Sequence, residues 1–303
     1  MLKEPLSELV HNIKNIRNEI KRKMRMEILR GGTIKLEKSR FIGNIRPYKN
    51  TWKVIALCCD YRLTLLWNAP MLRRQLIERL VEIVFIIGML YRTRKDFMVT
   101  IIATKRKKKF PKKGEIIGIE NVNSGMTVIN SGDITIWRLE EIEKVLIHEL
   151  IHSCGADRAL FNVLDIEACN TFCIKCDENI NINEVFTDFW AIIMYCIISG
   201  RSYKKELDWS WQQMMCVLDH YNFNVVGDIF ERELPQNSNV MSYYVLKACV
   251  MQNFREMIKF GITFHNDDYC RKTFFDFIVS SCMLWKNEKV KCIKCTGLRM
   301  TSE

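Results

Sequence analysis

Two of the five histidines in this 303-residue chain stand four apart in VLIHELIHSCGAD (145–157), with a glutamate directly after the first. Residues i and i+4 of an α-helix lie one turn apart on the same face, so His148 and His152 can direct ring nitrogens at one metal ion. Glu149 lies about 100° further round the helix. From there its carboxylate can reach a water beside the ion without becoming a ligand. Zinc held in this way lowers the pKa of the water, and the carboxylate takes its proton as it attacks a polarised carbonyl. The chemistry that these positions could do is metal-assisted hydrolysis. The competing reading, a core helix with two incidental histidines, leaves two imidazoles on one buried face in need of partners.

A catalytic zinc site of this kind wants a third protein ligand and one open position. One arrangement, HExxHxxGxxH, supplies it just after the second histidine. Gly155 fits its glycine, but Arg158 stands where the ligand should be and Asp157 comes one residue early. NVMSYY (239–244) looks like the methionine turn of that class, yet it has no ligand to accompany, and Gly155 is explained as the end of the helix. The other arrangement takes a glutamate from a second helix. NINEVFTD (181–188) places Glu184 32 residues beyond His152. Read from the residues alone, it is a helix N-terminus with favourable acids, capped by Asn183. Asn183, Glu184, Thr187 and Asp188 also resemble the NExxSD motif of thermolysin-like gluzincins.

That resemblance covers about residues 125–190. It implies a zincin-like, zinc-dependent metallopeptidase in which His148, His152 and Glu184 bind one catalytic Zn2+ and Glu149 is the general base. It also implies that Asp188, with Asn183 beside it, orients a ligating histidine through its other ring nitrogen. Such proteins place an edge strand before the histidine helix, along which a peptide or protein substrate can pair, and GMTVINSGDITIW (125–137) occupies that position. ITIWRLEEIEKVLIHELIH also looks like uncharacterised zincins of large DNA viruses. An oxyanion stabiliser is expected from the C-terminal half. Tyr243 and Tyr244 are the first candidates for this catalytic role, followed by His220, Tyr221 and His265.

The elements that must position these residues are legible in outline. Residues 5–29 have the spacing of a basic amphipathic helix, and WKVIALCC shortens toward a strand. Residues 70–91 predict a long helix that opens on Pro70 and becomes apolar on all sides, hence buried. FMVTIIAT (97–104), GEIIGIENV and 125–137 read as β-rich. RLEEIEKVLIHELIHSC is a helix bounded by Gly155, and beyond about 160 the chain is mostly helical, with loops near 176–182, 200–208, 222–239 and 264–268. The fold class expected is α+β and zincin-like. An N-terminal lobe (1–158) combines a mixed β-sheet with helices and ends in the central active-site helix. A mostly helical C-terminal lobe (159–303) carries the third ligand.

Composition bounds the rest. With 48% hydrophobic and 27% charged residues the chain is an ordinary folded protein. No segment approaches the ~20 uninterrupted apolar residues of a transmembrane helix, and residues 1–30 lack an apolar signal core, so an intracellular place, cytoplasmic or nuclear, is expected. Thirteen cysteines in such a chain read as free thiols. The two CIKC pairs, Cys173/Cys176 and Cys292/Cys295, could together form a structural tetrathiolate zinc site. Residues 1–114 hold 28 Lys and Arg against 9 Asp and Glu, and residues 115–303 hold 18 against 26. The densest run, 105–113, fits a nuclear-import signal, a contact for nucleic acid or another acidic partner, or a solvated hairpin tip. The rival to a peptidase is thus a basic nucleic-acid-associated or interaction protein with a structural or degenerate zinc site.

Overall fold

The computed structural model describes residues 6–31, 51–68, 72–104, 106–128, 131–160, 165–174, 181–259, 264, 271–291, 295 and 297–302. In chain order its elements are α1 Ser7–Lys23, β1 Arg25–Arg30, β2 Thr51–Cys58, β3 Tyr61–Asn68, α2 Arg74–Tyr91, β4 Asp96–Ile101, α3 Ile119–Val122, β5 Gly125–Thr127, β6 Asp133–Ile136 and α4 Ile142–Ser153. Then follow α5 Asp165–Thr171, α6 Ile182–Ser199, α7 Tyr203–His220, a π-helical turn Met241–Leu246 running into α8 Lys247–Gln252, α9 Phe254–Lys259 and α10 Arg271–Leu284. The class is α+β.

These elements form two compact units. The first comprises Met1–Arg106, Ser124–Ala156 and Met194–Arg201, the second Lys107–Asn123, Asp157–Ile193 and Ser202–Glu303. The first holds a six-stranded mixed sheet in the order β1-β2-β3-β4-β6-β5. β1, β2 and β3 run antiparallel, β3, β4 and β6 parallel, and β5 returns antiparallel to β6 at the edge. Joining parallel β3 to β4 requires a crossover, and α2 supplies it. Ten of its eighteen residues are buried, so its apolar sequence reads correctly as a core helix. The second unit gathers α7, the π turn, α8 and α10 around buried aromatic and aliphatic side chains such as Tyr244, Phe274 and Leu218.

Several expectations are corrected. The helix expected over 5–29 ends at Lys23, and residues 25–30 instead pair with β2 from Arg25↔Leu57 to Arg30↔Trp52. Ladder bonds with a neighbouring strand outweigh a weak helical period there. GEIIGIENV is no strand: Ile117 makes one isolated bridge to Gln236, and α3 follows. The loop expected over 200–208 is confined to residues 200–202, and from Tyr203 on the chain is the first turns of α7. Pro70 lies outside the described residues, and α2 starts at Arg74.

The basic run is not a hairpin tip. Lys108 is buried, its carbonyl accepts from Leu298 N, and Lys113 pairs with Asp219 at 3.3 Å. Lys105 lies outside the described residues. The cysteines also depart from expectation, because Cys216 and Cys295 form a disulfide. That removes Cys295 as a thiolate ligand, and Cys173 donates its thiol hydrogen to Phe230 O at 3.0 Å. Cys176 and Cys292, the remaining members of the supposed tetrathiolate site, lie outside the described residues. α6 is long and apolar enough to cross a membrane by length and composition, and 89% of it is buried inside the protein.

Candidate metal centre

The histidine helix α4 is buried along its length, with Glu143 alone reaching the half-exposed surface. It starts at Glu141, φ +61, shortly after the chain leaves β6. Glu143 then meets Arg79 of α2 at 3.4 Å. At the other end Thr93 donates to Cys154 O at 2.8 Å, and Gly155, φ +68, closes the helix with the left-handed turn its sequence position predicts. Burial pushes the Cys154 thiol up to about 12, so this sulfur stays a neutral thiol.

The helical spacing does what it promised. His148 Nε2 and His152 Nε2 stand 3.1 Å apart, with ring planes at 78°. Two nitrogens each bound at about 2.0–2.1 Å to a tetrahedral zinc are separated by roughly 3.3 Å. The pair is therefore spaced for a shared ion. Glu184, on the first turn of α6, completes a group of three buried ligand residues whose donor atoms all lie within 4.8 Å of one another. Two imidazoles and a carboxylate are a donor set that zinc and other borderline divalent metals accept.

Glu149 is buried to the same degree as the histidines. Gly125, first residue of the edge strand, is pressed against it. A Cβ at Gly125 would stand 2.8 Å from Glu149 Oε1 and 3.0 Å from Val145 Cγ1. Trp137 N donates to Ser124 O and Val128 N to Asp133 O, so Ser124 and Val128 face β6. Antiparallel alternation then points the N–H and C=O of Gly125 and Thr127 away from β6. The expected edge strand is present, and among the described residues no strand pairs with its far side, which begins at the residue that touches Glu149.

The first turn of α6 is held by side chains. Asp157, fully buried, accepts at one oxygen from Asn183 Nδ2 and Thr187 Oγ1, both at 3.1 Å. These are two of the motif residues, and they flank Glu184. Asn239 Nδ2 approaches Glu184 Oε1 at 3.5 Å. One turn along, Asp188 Oδ2 accepts from Lys247 Nζ at 2.9 Å in a pair only 0% and 2% exposed. Arg158 is exposed. Asp157, Lys247 and Gly125 were not identified from sequence. The signals were there: Asn183 and Thr187 share a face, and Lys247 interrupts an apolar run.

The proposed oxyanion donors fare less well. Tyr244 is buried and its hydroxyl donates to Leu298 O at 2.6 Å, which removes it from that role. Tyr243 lies beside it in the π turn. His220 Nε2 donates to Glu115 O at 2.7 Å, and Tyr221 OH accepts from Ile117 N at 2.8 Å, so both brace residues 115–117. His265 lies outside the described residues.

Among known proteins, the chain is similar to an uncharacterised protein of Acanthamoeba polyphaga mimivirus, 26% identical over 159 residues. The similarity takes in 45% of this chain and 40% of that protein, so the chain spans less than half of its relative. No protein-family model and no solved structure matches the chain.

Proposed function

We propose that this protein is a zinc-dependent metallopeptidase of the zincin type, with gluzincin-like ligands. The observation that carries the proposal is the spacing of His148 and His152 nitrogens at 3.1 Å with the Glu184 carboxylate in the same buried group. The mimivirus similarity supports the likeness to proteins of large DNA viruses and adds nothing about chemistry.

In this reading His148, His152 and Glu184 hold the metal. Zinc, when bound, acidifies a water and polarises the scissile carbonyl. Glu149, set round the helix from the ligands, takes the proton of the attacking water and delivers it to the departing amine. Gly125 leaves space for that carboxylate, and the open side of β5 offers Gly125 and Thr127 to an extended peptide. Asp188, which accepts from Lys247, is the residue to which the gluzincin likeness assigns the orienting of a ligating histidine. Tyr243 is the remaining oxyanion candidate.

The purified 303-residue protein should contain about one zinc per chain. Glu149→Gln should keep the metal and lower hydrolysis of a mixed peptide pool by roughly 100- to 10,000-fold. A metal-free protein whose melting temperature ignores zinc and chelators would overturn the proposal.

A further inference from the structure

The positive charge of the molecule belongs to one of its units. The segments of the first carry 26 Lys and Arg against 14 Asp and Glu, those of the second 20 against 21. Within the first unit, the sheet register collects part of this excess at one end. β1 opens on Arg25, which sits beside Leu57; Leu57 sits beside Arg62, and Arg62 beside Asp96. α1 finishes one residue before β1, and Cys59 at the β2–β3 turn donates to Glu19 of that helix at 3.3 Å. α2 finishes at the same end, since Gly88 is backed so closely onto Phe97 and Tyr61 that a Cβ would fall 2.8 Å from the Phe97 ring.

Lys21, Arg22, Arg25, Arg62 and Arg92 are all exposed at this end, and among the described residues none of them makes an ion pair or side-chain hydrogen bond. Two nearby acids are already matched, Glu19 by Lys23 and Asp60 by Lys95. Asp96, Asp133 and, on the same face of β1 as Arg25, Glu27 remain, so among the described residues five cations face three acids.

We infer that this end of the sheet is a nucleic-acid-binding surface, on which Lys21, Arg22, Arg25, Arg62 and Arg92 contact successive backbone phosphates. Four separate segments deliver these cations, and Arg25 and Arg62 lie two strands apart, about 10 Å. A small anion meets one or two of them, whereas a polyanion meets all. Four of the five are arginines, whose planar fork matches phosphate oxygens. Among the described residues the exposed large apolar side chains nearby are Leu57, Met98 and Val128, on or beside strands rather than on an amphipathic helix that could enter a bilayer. The sequence's densest basic run is a poorer surface, because Lys108 is buried and Lys113 is paired with Asp219.

The test is fluorescence anisotropy of a short labelled duplex DNA against the 303-residue protein over a salt series, with phosphatidylserine–phosphatidylcholine vesicles as a second probe. If all five cations engage, affinity should fall roughly 500-fold between about 50 and 200 mM salt, from a slope of about −0.9 per phosphate. R25Q/R62Q/R92Q should cut that loss to roughly 12-fold while keeping the wild-type melting temperature, and each single variant should remove about one phosphate from the slope. K107Q/K109Q/K112Q should bind within about two-fold of wild type, as residues outside the phosphate count. Absence of duplex binding, binding to vesicles alone, or a triple variant that binds duplex like wild type would overturn the inference. The inference does not depend on the peptidase reading, and Glu149→Gln should leave duplex binding unchanged.

Discussion

α4 and the first turn of α6 both present metal-ligand side chains, and they hold them by different means. On α4 the 3.6-residue period alone puts His148 and His152 on one face, and a helix buried on nearly all sides cannot rotate without exposing apolar residues. On α6 only one ligand is present, so periodicity fixes nothing about where Glu184 points. There the Asn183 and Thr187 bonds to Asp157, the Asn239 approach and the Asp188–Lys247 pair do the fixing. A ligand pair is set by backbone geometry, whereas a lone ligand needs a scaffold of buried polar bonds.

That contrast can be broken from either side. The largest effect is expected at the charged brace of α6. Lys247→Met leaves the Asp188 carboxylate buried without its cation and should cost about 3–5 kcal/mol in urea unfolding. The double variant Lys247→Met/Asp188→Leu should recover most of that loss, because both charges are gone. Next comes Asp157→Ala, which deprives Asn183 and Thr187 of their acceptor. Zinc affinity by chelator competition should fall about 10- to 100-fold, as for other groups that orient metal ligands. Unchanged affinity with lowered stability would mean that Asp157 supports only the helix and not the ligand.

Smaller effects are expected on the α4 side. Gly125→Ala forces a methyl against Glu149 and Val145, with an overpacking cost of about 1–3 kcal/mol. Metal content should persist while hydrolysis slows, since the displaced group is the base. Arg79→Ala removes a half-exposed partner of Glu143 and should change stability by only about 0.2–1 kcal/mol, with zinc affinity unaltered. A large loss of zinc in that variant would show that α4 needs external bracing after all.

The same contrast explains how much could be read from the residues. HELIH, the glycine that ends its helix and the edge strand before it are local patterns, and the α+β class followed from them. Glu184 came into view through a resemblance, because no local rule relates it to residues 32 positions earlier. Asp157 was dismissed for being in the wrong place to ligate, which was a test of only one role. Lys247 and Gly125 act through partners distant in sequence, where periodicity carries no information. The strand at 25–30 was missed for a similar reason, since pairing with β2 decides its state. Charge density misled as well, because a run of lysines says nothing about which of them fold inward.

The disulfide between Cys216 and Cys295 spans 79 residues, a loop that takes in the π turn, α8, α9 and α10. Closing a loop of that length restricts the unfolded chain by about 4.5 kcal/mol in the chain-entropy account. The second unit is thereby made sensitive to its chemical surroundings: a batch prepared with a thiol reductant and one prepared in air are two materials with different unfolding curves. Any ranking of variants in α8 or α10 holds only among samples that share one thiol history.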